Sequence, residues 1–534
     1  MTRHHITTTL ALLAGLALVA CTDLLNEDPK GATTMDAFFK TGADLNTATI
    51  AIYNALRGLQ GQSQWTTLEL SSDQIRADNR EPNAGTYGPD RLDWDASTGR
   101  ADQYWPTGYS MITRANLVLA RGPGIEVPPP LAPMKDYNLA EAKFFRGYAY
   151  FMLTRAYDGV PLLLTPEEQE NLLPTRTPVE QVQQAAIVDL TEAQGALPDA
   201  WGSTDSYGVP TQGRVTKATA QMALADLYLW RSSFMGKNEW QQASDWADSV
   251  IVSGRWRLND DYFSTFLPRN KFGNREMIFT INNSGLNGRT SSTFQLFYYP
   301  RDWGLDLGQG GGWGLLHPTD WFLSSYRVGD YRKDAGYVNS GCSFDGKHCI
   351  TPPDTFADGR MPWKYVKSDG GANWGLNDVD VPLYRYAETL LIYAEAQNEL
   401  GNSAVAIQYL NMVRARARKG TGTESRLQPA DYPSPSDTLG LRDAIFMERA
   451  WEFAFEAKRW WDLVRRDSME PGAGTLTGYW ATSLLAHDPN ANRSGKLVTY
   501  RKRFPIPQSQ INANPELCQN AGYGGTPCGA GVQP

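Results

Sequence analysis

Four times along the chain, two helix-length runs with apolar residues three and four positions apart arrive as a pair, and no other feature restricts the fold so strongly. An isolated helix of this kind leaves one apolar stripe in water, so each run must bury its stripe against a partner. The clearest pair is YRYAETLLIYAEAQNELGNSAVAIQYLNMVRARA, residues 384–417. Ala387, Leu391 and Ala394 mark one face of its first helix, and Gly401-Asn402 supplies a stop and a turn. Ile407, Leu410 and Val413 mark the second helix. A second copy, residues 216–254, has Ala220, Leu224 and Leu227 on one helix and Trp240, Ala243, Ala247 and Val250 on the next. Gly236 marks its turn and Gly254 its stop. A third pair joins AEAKFFRGYAYFMLTRAY to VEQVQQAAIVDLTEAQGAL, and a looser fourth joins residues 44–59 to 104–121. Small residues at the contact positions and bulky ones opposite are what stacked tetratricopeptide-like hairpins require. The predicted fold is therefore mainly α, about four such hairpins carrying long irregular loops and short strands.

The loops are residues 60–103, 256–380 and 419–440, rich in Gly, Pro, Asn, Asp and Trp. Insertions of this size on a helical scaffold generally carry binding work. The net charge of -8 argues against nucleic acid as a partner. The 17 tryptophans and 25 tyrosines suit both a core and a sugar-binding surface, since each pairs a broad apolar face with a polar tip.

The first 20 residues have a basic Arg3, an apolar stretch from Leu10 to Ala20 and small residues before Cys21, which is signal-peptide organisation. Leu18-Val19-Ala20-Cys21 resembles a bacterial lipobox, so Cys21 is expected to carry lipid, with residues 21–35 as a tether and 36–534 as one domain of two halves, 36–255 and 256–534. The other four cysteines fall into two local pairs, Cys342 with Cys349 and Cys518 with Cys528. Both are disulfide candidates in an exported protein.

ERAWEFAFEAKRWWDLVRR, from Glu448 to Arg466, is the densest aromatic stretch. At about 100° per residue, Phe446, Ala450, Phe453, Ala457, Trp460, Trp461 and Val464 share one face, opposite Glu448, Glu452, Arg459, Asp462 and Arg466. This predicts one amphipathic helix whose rings are core. Trp451 and Phe455 lie off that face. Glu456 with Arg459, and Asp462 with Arg466, have the spacing of weak helix-surface ion pairs. The segment resembles the C-terminal signature of the SusD/RagB family of outer-membrane nutrient-binding lipoproteins. FPIPQSQINANPELCQNAGY resembles the family's closing segment, with Gln510 where glutamate is commoner, and SSDQIRADN resembles its early acidic loop. The two helical stretches YRYAETLLIYAEAQNELGN and AEAKFFRGYAYFMLTRAYDGVPLL resemble its hairpins.

The resemblance implies a lipid-anchored protein on the cell surface that delivers oligosaccharides, or in some members peptides, to a SusC-like TonB-dependent transporter. It implies no cofactor and no catalysis. The residues agree, for His317, His348 and His487 are too scattered for a helical two-histidine zinc site, and no Gly-x-Ser-x-Gly elbow occurs. GCSFDGKH is a phosphate-loop look-alike whose His348 replaces the Ser/Thr that would hold magnesium. The enzyme alternative, a glycoside hydrolase, would rest on carboxylates such as Asp73, Asp78 and Glu81, or Asp378 and Asp380.

Sugars are held by flat aromatic faces with polar side chains at the hydroxyls. FYYPRDWGLDLGQGGGWGLLHPTDW sets Tyr298, Trp303, Trp313 and Trp321 around glycines, and DRLDWDAS adds Trp94 between Asp93 and Asp95. Since the family forms its ligand arc from an early and a mid-chain loop, the expected ligand residues are Trp94, Trp303 and Trp313, with Asp73, Asp95 and Tyr298. Trp105 resembles a structural position.

Overall fold

The computed structural model describes residues 38–77, 88–97, 103–283, 297–298, 315–338, 361–362, 364–365, 379–420, 425–433, 437–488, 495, 497–525 and 528. The longer helices, in order, are α1 (Gly42–Leu56), α2 (Gln62–Leu70), α3 (Tyr104–Arg121), α4 (Ala132–Tyr157), α5 (Val179–Ala196), α6 (Lys217–Ser233), α7 (Trp240–Val252), α8 (Tyr386–Glu399), α9 (Ser403–Ala417), α10 (Thr438–Glu452), α11 (Arg459–Asp467) and α12 (Tyr479–His487). The four expected pairs are present as α1 with α3, α4 with α5, α6 with α7 and α8 with α9. The second helix of each pair also packs on the first of the next, so the pairs stack in chain order. Every apolar position named above for the 216–254 and 384–417 hairpins is buried. Gly236 and Gly401 turn at φ +67° and +85°, a backbone region that side chains with a Cβ avoid.

Helix ends follow their chemistry. Thr41 and Asp44 form a reciprocal capping box at the start of α1, and the Asp437 side chain accepts from Gly440 N–H at the start of α10. Close packing between helices depends on glycine. A Cβ on Gly147 of α4 would lie 2.9 Å from the Ala186 carbonyl oxygen of α5, and one on Gly108 of α3 would lie 2.7 Å from Leu153 of α4.

The irregular parts are joined to one another by two-stranded antiparallel pairings. β1 (Ile75–Ala77) pairs with β3 (Leu316–Pro318), β2 (Met277–Ile281) with β6 (Val381–Arg385), and β4 (Tyr337–Val338) with β5 (Met361–Pro362). The stretch 60–103, expected to be loop, also contains α2.

The Glu448–Arg466 segment departs from the single predicted helix. α10 ends at Glu452, Phe455 and Ala457 take left-handed conformations at φ +63° and +54°, and α11 begins at Arg459. Groups from elsewhere satisfy the broken turn: Lys364 Nζ donates to Ala454 O at 2.9 Å, Tyr365 Oη to Phe455 O at 2.7 Å, and Ala457 N–H to Glu69 Oε1 at 2.6 Å. The rings are core as expected, and so are Trp451 and Phe455. The charges are core as well, contrary to the expected solvated face. Glu456 pairs with Arg385 and Lys364 rather than Arg459, whose partner is Asp73. Asp462 pairs with Arg449 and Arg465, while Arg466 reaches Asp443 and Glu470. A charge buried on every side must find its counter-charge wherever the fold brings one, and here most come from other elements.

Candidate functional site

The early and mid-chain loops, which the sequence assigned to ligand, share one base. Ile75, Arg76 and Ala77 face Pro318, His317 and Leu316 in antiparallel register. Thr319 N–H donates to Gln74 O at 2.8 Å and its hydroxyl to Asp73 O at 2.9 Å, so the crossing continues one residue beyond the strands. Gln74 Nε2 donates to Ala450 O at 2.8 Å, which ties the base to α10. The described backbone entering and leaving this base is held at these roots by main-chain hydrogen bonds.

The residues at the roots have structural duties, and three sequence expectations are corrected. Asp73 is fully buried, with Arg459 donating to both its oxygens at 2.7 Å and Ser483 Oγ donating at 2.7 Å. Burial alone would raise its pKa, but Arg459 outweighs burial and holds the carboxyl well below the ordinary range. It cannot offer a free carboxylate to a sugar, nor a proton as a general acid. Tyr298 is buried too, its hydroxyl accepting from Trp65 Nε1 at 2.6 Å and its ring set edge-on to Phe455 at 5.5 Å. Trp94 is 1% exposed, packed edge-on against Trp460 and Phe504, with Nε1 donating to Tyr523 Oη at 2.9 Å. Its indole therefore anchors its own loop instead of presenting a face to ligand.

Asp95 is exposed and accepts from the N–H and hydroxyl of Ser97 at 2.8 and 2.7 Å, which shapes the turn after Trp94. Trp303 and Trp313 lie outside the described residues, as do Asp78, Glu81, Asp378, His348, Cys342, Cys349, and Cys21 with its leader and tether. Asp380 accepts from Asn283 N–H at 2.9 Å and lies 3.7 Å from Lys271. Trp105 is buried against Tyr157, a structural position as its surroundings in the sequence suggested. Cys518 and Cys528 are joined by a disulfide with Cα atoms 4.9 Å apart.

Trp321 gains an unforeseen partner. Its ring stacks on His487 with centroids 3.8 Å apart and planes 13° apart, just after β3. His487 Nδ1 lies 3.2 Å from Ser483 Oγ, so the ring pair rests on the same buried Asp73–Arg459 group. No sequence periodicity connects residues 321 and 487, and this contact was not legible.

A stack of helical hairpins bearing pinned irregular loops defines a binding scaffold. Two family models match the chain, one described as the SusD family over residues 351–523 and one as starch-binding associating with outer membrane over residues 25–229. The chain is thus similar to the SusD family, among whose members is a protein named for starch binding. A SusD-like protein of Formosa agariphila is 29% identical over 474 residues, covering 84% of this chain and 88% of its own. The starch-binding protein SusD of Bacteroides thetaiotaomicron is 25% identical over 493 residues, covering 81% and 80%. A SusD homolog from B. thetaiotaomicron superposes with a TM-score of 0.75 at 20% identity, covering 91% of this chain and 98% of its own. A laminarin-binding SusD-like protein superposes at 0.71 with 23% identity, covering 91% and 100%.

Proposed function

We propose that this protein is a cell-surface lipoprotein, held in the outer membrane by Cys21, that captures oligosaccharides on its early and mid-chain loops and delivers them to a SusC-like TonB-dependent transporter. The observation that carries the reading is the β1–β3 pairing, which sets the early residues Ile75–Ala77 against the mid-chain residues Leu316–Pro318. Relatives named for starch and laminarin binding support glycan as the ligand class. With Trp94, Tyr298 and Asp73 committed to the core, the contact residues of the reading are Trp303 and Trp313, together with the exposed Asp95.

The reading is tested by affinity electrophoresis of the protein through gels containing starch or laminarin. The expected result is retardation in at least one gel, reduced at least about tenfold in affinity by Trp303→Ala with Trp313→Ala, because a base or sugar ring stacked on an aromatic contributes on the order of 1–3 kcal/mol. Unretarded migration in every glycan gel, together with binding of a peptide pool, would replace glycan by peptide as the cargo.

A further inference from the structure

An open cleft of about 630 Å³ separates the α5–α6 connection from the chain that follows α7, and no described residue of the β1–β3 base lines it. Its volume is that of a site for a small ligand. Four aromatic residues line it, Trp201, Trp256, Phe266 and Phe272. Trp201 is held rigidly, with Arg214 over its ring at 4.5 Å and its Nε1 donating to Val215 O at 2.9 Å. Phe272, by contrast, is 75% exposed at the cleft. The indole N–H of Trp256 is buried without an acceptor among the described residues, the condition of a donor that an incoming oxygen completes.

Charge distinguishes this cleft from a generic apolar groove. Arg214 is neutralised below it by Glu141 and Asp205, and Lys271 lies 3.7 Å from Asp380. Arg275 donates to backbone, to Arg255 O at 2.5 Å and Gly254 O at 2.7 Å, and has no carboxylate partner among the described residues. Arg255 is 3.5 Å from Asp199, but Lys217 claims the same carboxylate at 3.5 Å. The mouth thus holds more cation than it can balance. Aromatic faces beside an uncompensated, partly backbone-fixed guanidinium match a sugar ring that carries an anionic group, since guanidinium groups bind carboxylate and sulfate oxygens in a fixed fork.

We propose that this cleft is a second carbohydrate subsite, specific for an acidic sugar unit, whose ring lies against Phe272 and Trp256 and whose anionic group is met by Arg275 and Arg255. The inference rests on the glycan-binding reading but uses none of its loop residues. It is tested by calorimetric titration of the full chain with trigalacturonate, a sulfated trisaccharide and neutral maltotriose. Trigalacturonate or the sulfated sugar is expected to bind, whichever does naming carboxylate or sulfate as the group. That binding should weaken about tenfold in Phe272→Ala and in Arg275→Gln, the loss of one charge-assisted contact or one ring face. It should also fall with added salt and be unchanged by the Trp303→Ala, Trp313→Ala pair. Phe272→Ala alters an exposed ring and leaves the core alone, so folding does not confound it. Wild-type affinity in both cleft variants overturns the subsite. So does failure of both charged sugars to bind a protein that starch or laminarin gels retard, and that outcome leaves the loop reading standing. Failure of every glycan, charged or neutral, removes both.

Discussion

Glu69 and Glu452 are both buried carboxylates, and their neighbours drive them in opposite directions. Burial raises Glu69 to about 8, opposed only by the Ala457 N–H and the charge of Lys364. Burial would raise Glu452 as well, but Arg416, Arg385 and Arg332 outweigh it and bring the group to about 2. The stability consequences have opposite signs. From pH 4.5, the ordinary glutamate value, to about 8, folded Glu69 keeps a proton that the unfolded chain has released, so stability falls as pH rises. Glu452 contributes stability that is complete above pH 4.5 and lost as pH falls toward about 2. Glu69→Gln keeps an oxygen to accept from Ala457 N–H and removes the titration. It should match wild type near pH 4 and gain on it by at most about 1.4 kcal/mol per pH unit toward pH 8. Thermal melts of both proteins across that range check the sign, and a constant difference would mean that Glu69 is ionised in the folded state.

At the scale of elements, the helical hairpins were legible because a stripe of apolar residues has one physical use. Ala387, Leu391 and Ala394, or Ile407, Leu410 and Val413, lead to burial whatever their partner is. The break at Phe455 and Ala457 was not legible, because the groups that stabilise it, Glu69, Lys364 and Tyr365, come from segments between 90 and 388 positions away. Periodicity reports what a segment would do alone, and these partners alter that outcome. The same distinction separates two helix glycines. A Cβ on Gly147 would press on the Ala186 carbonyl and Leu190 of the neighbouring helix, whereas one on Gly195 meets nothing within 4 Å. Gly147→Ala is therefore expected to destabilise by roughly 1–3 kcal/mol through overpacking of α4 on α5. Gly195→Ala, near the end of α5, should stabilise by up to about 1 kcal/mol by restricting the unfolded chain. Urea midpoints of the two variants should move apart, and movement in the same direction would contradict the packing argument.

For the molecule as a whole, the sequence located the helical scaffold but misassigned Trp94. Trp94 and the four Gly-associated aromatics looked alike in composition, yet Trp94 is sealed by Tyr523, Trp460 and Phe504 from the far end of the chain. What joins the parts is charge as much as apolar surface. Arg385, next to α8, contacts Glu276 at the end of the 255–276 connection at 2.6 Å and Glu456 in the α10–α11 turn at 2.7 Å. Through Glu452 it shares a partner with Arg416 of α9 and with Arg332 of the mid-chain segment. Glu456 in turn holds Lys364. Removing one member leaves its buried counter-charges uncompensated, which costs on the order of 3–5 kcal/mol, far above the ~0–1 kcal/mol of an exposed pair. Arg385→Ala should accordingly lower the melting temperature, while Arg418→Ala, whose partner Asp431 is 61% exposed, should change it little. Hydrogen exchange locates the effect: in Arg385→Ala the amides of residues 330–332 and 453–457 should exchange faster, while those of α3 and α4 keep their protection. Uniform loss of protection across the helical stack would instead make the cluster part of the scaffold's own cooperative core, with no separate role in fastening the loop-bearing segments to it.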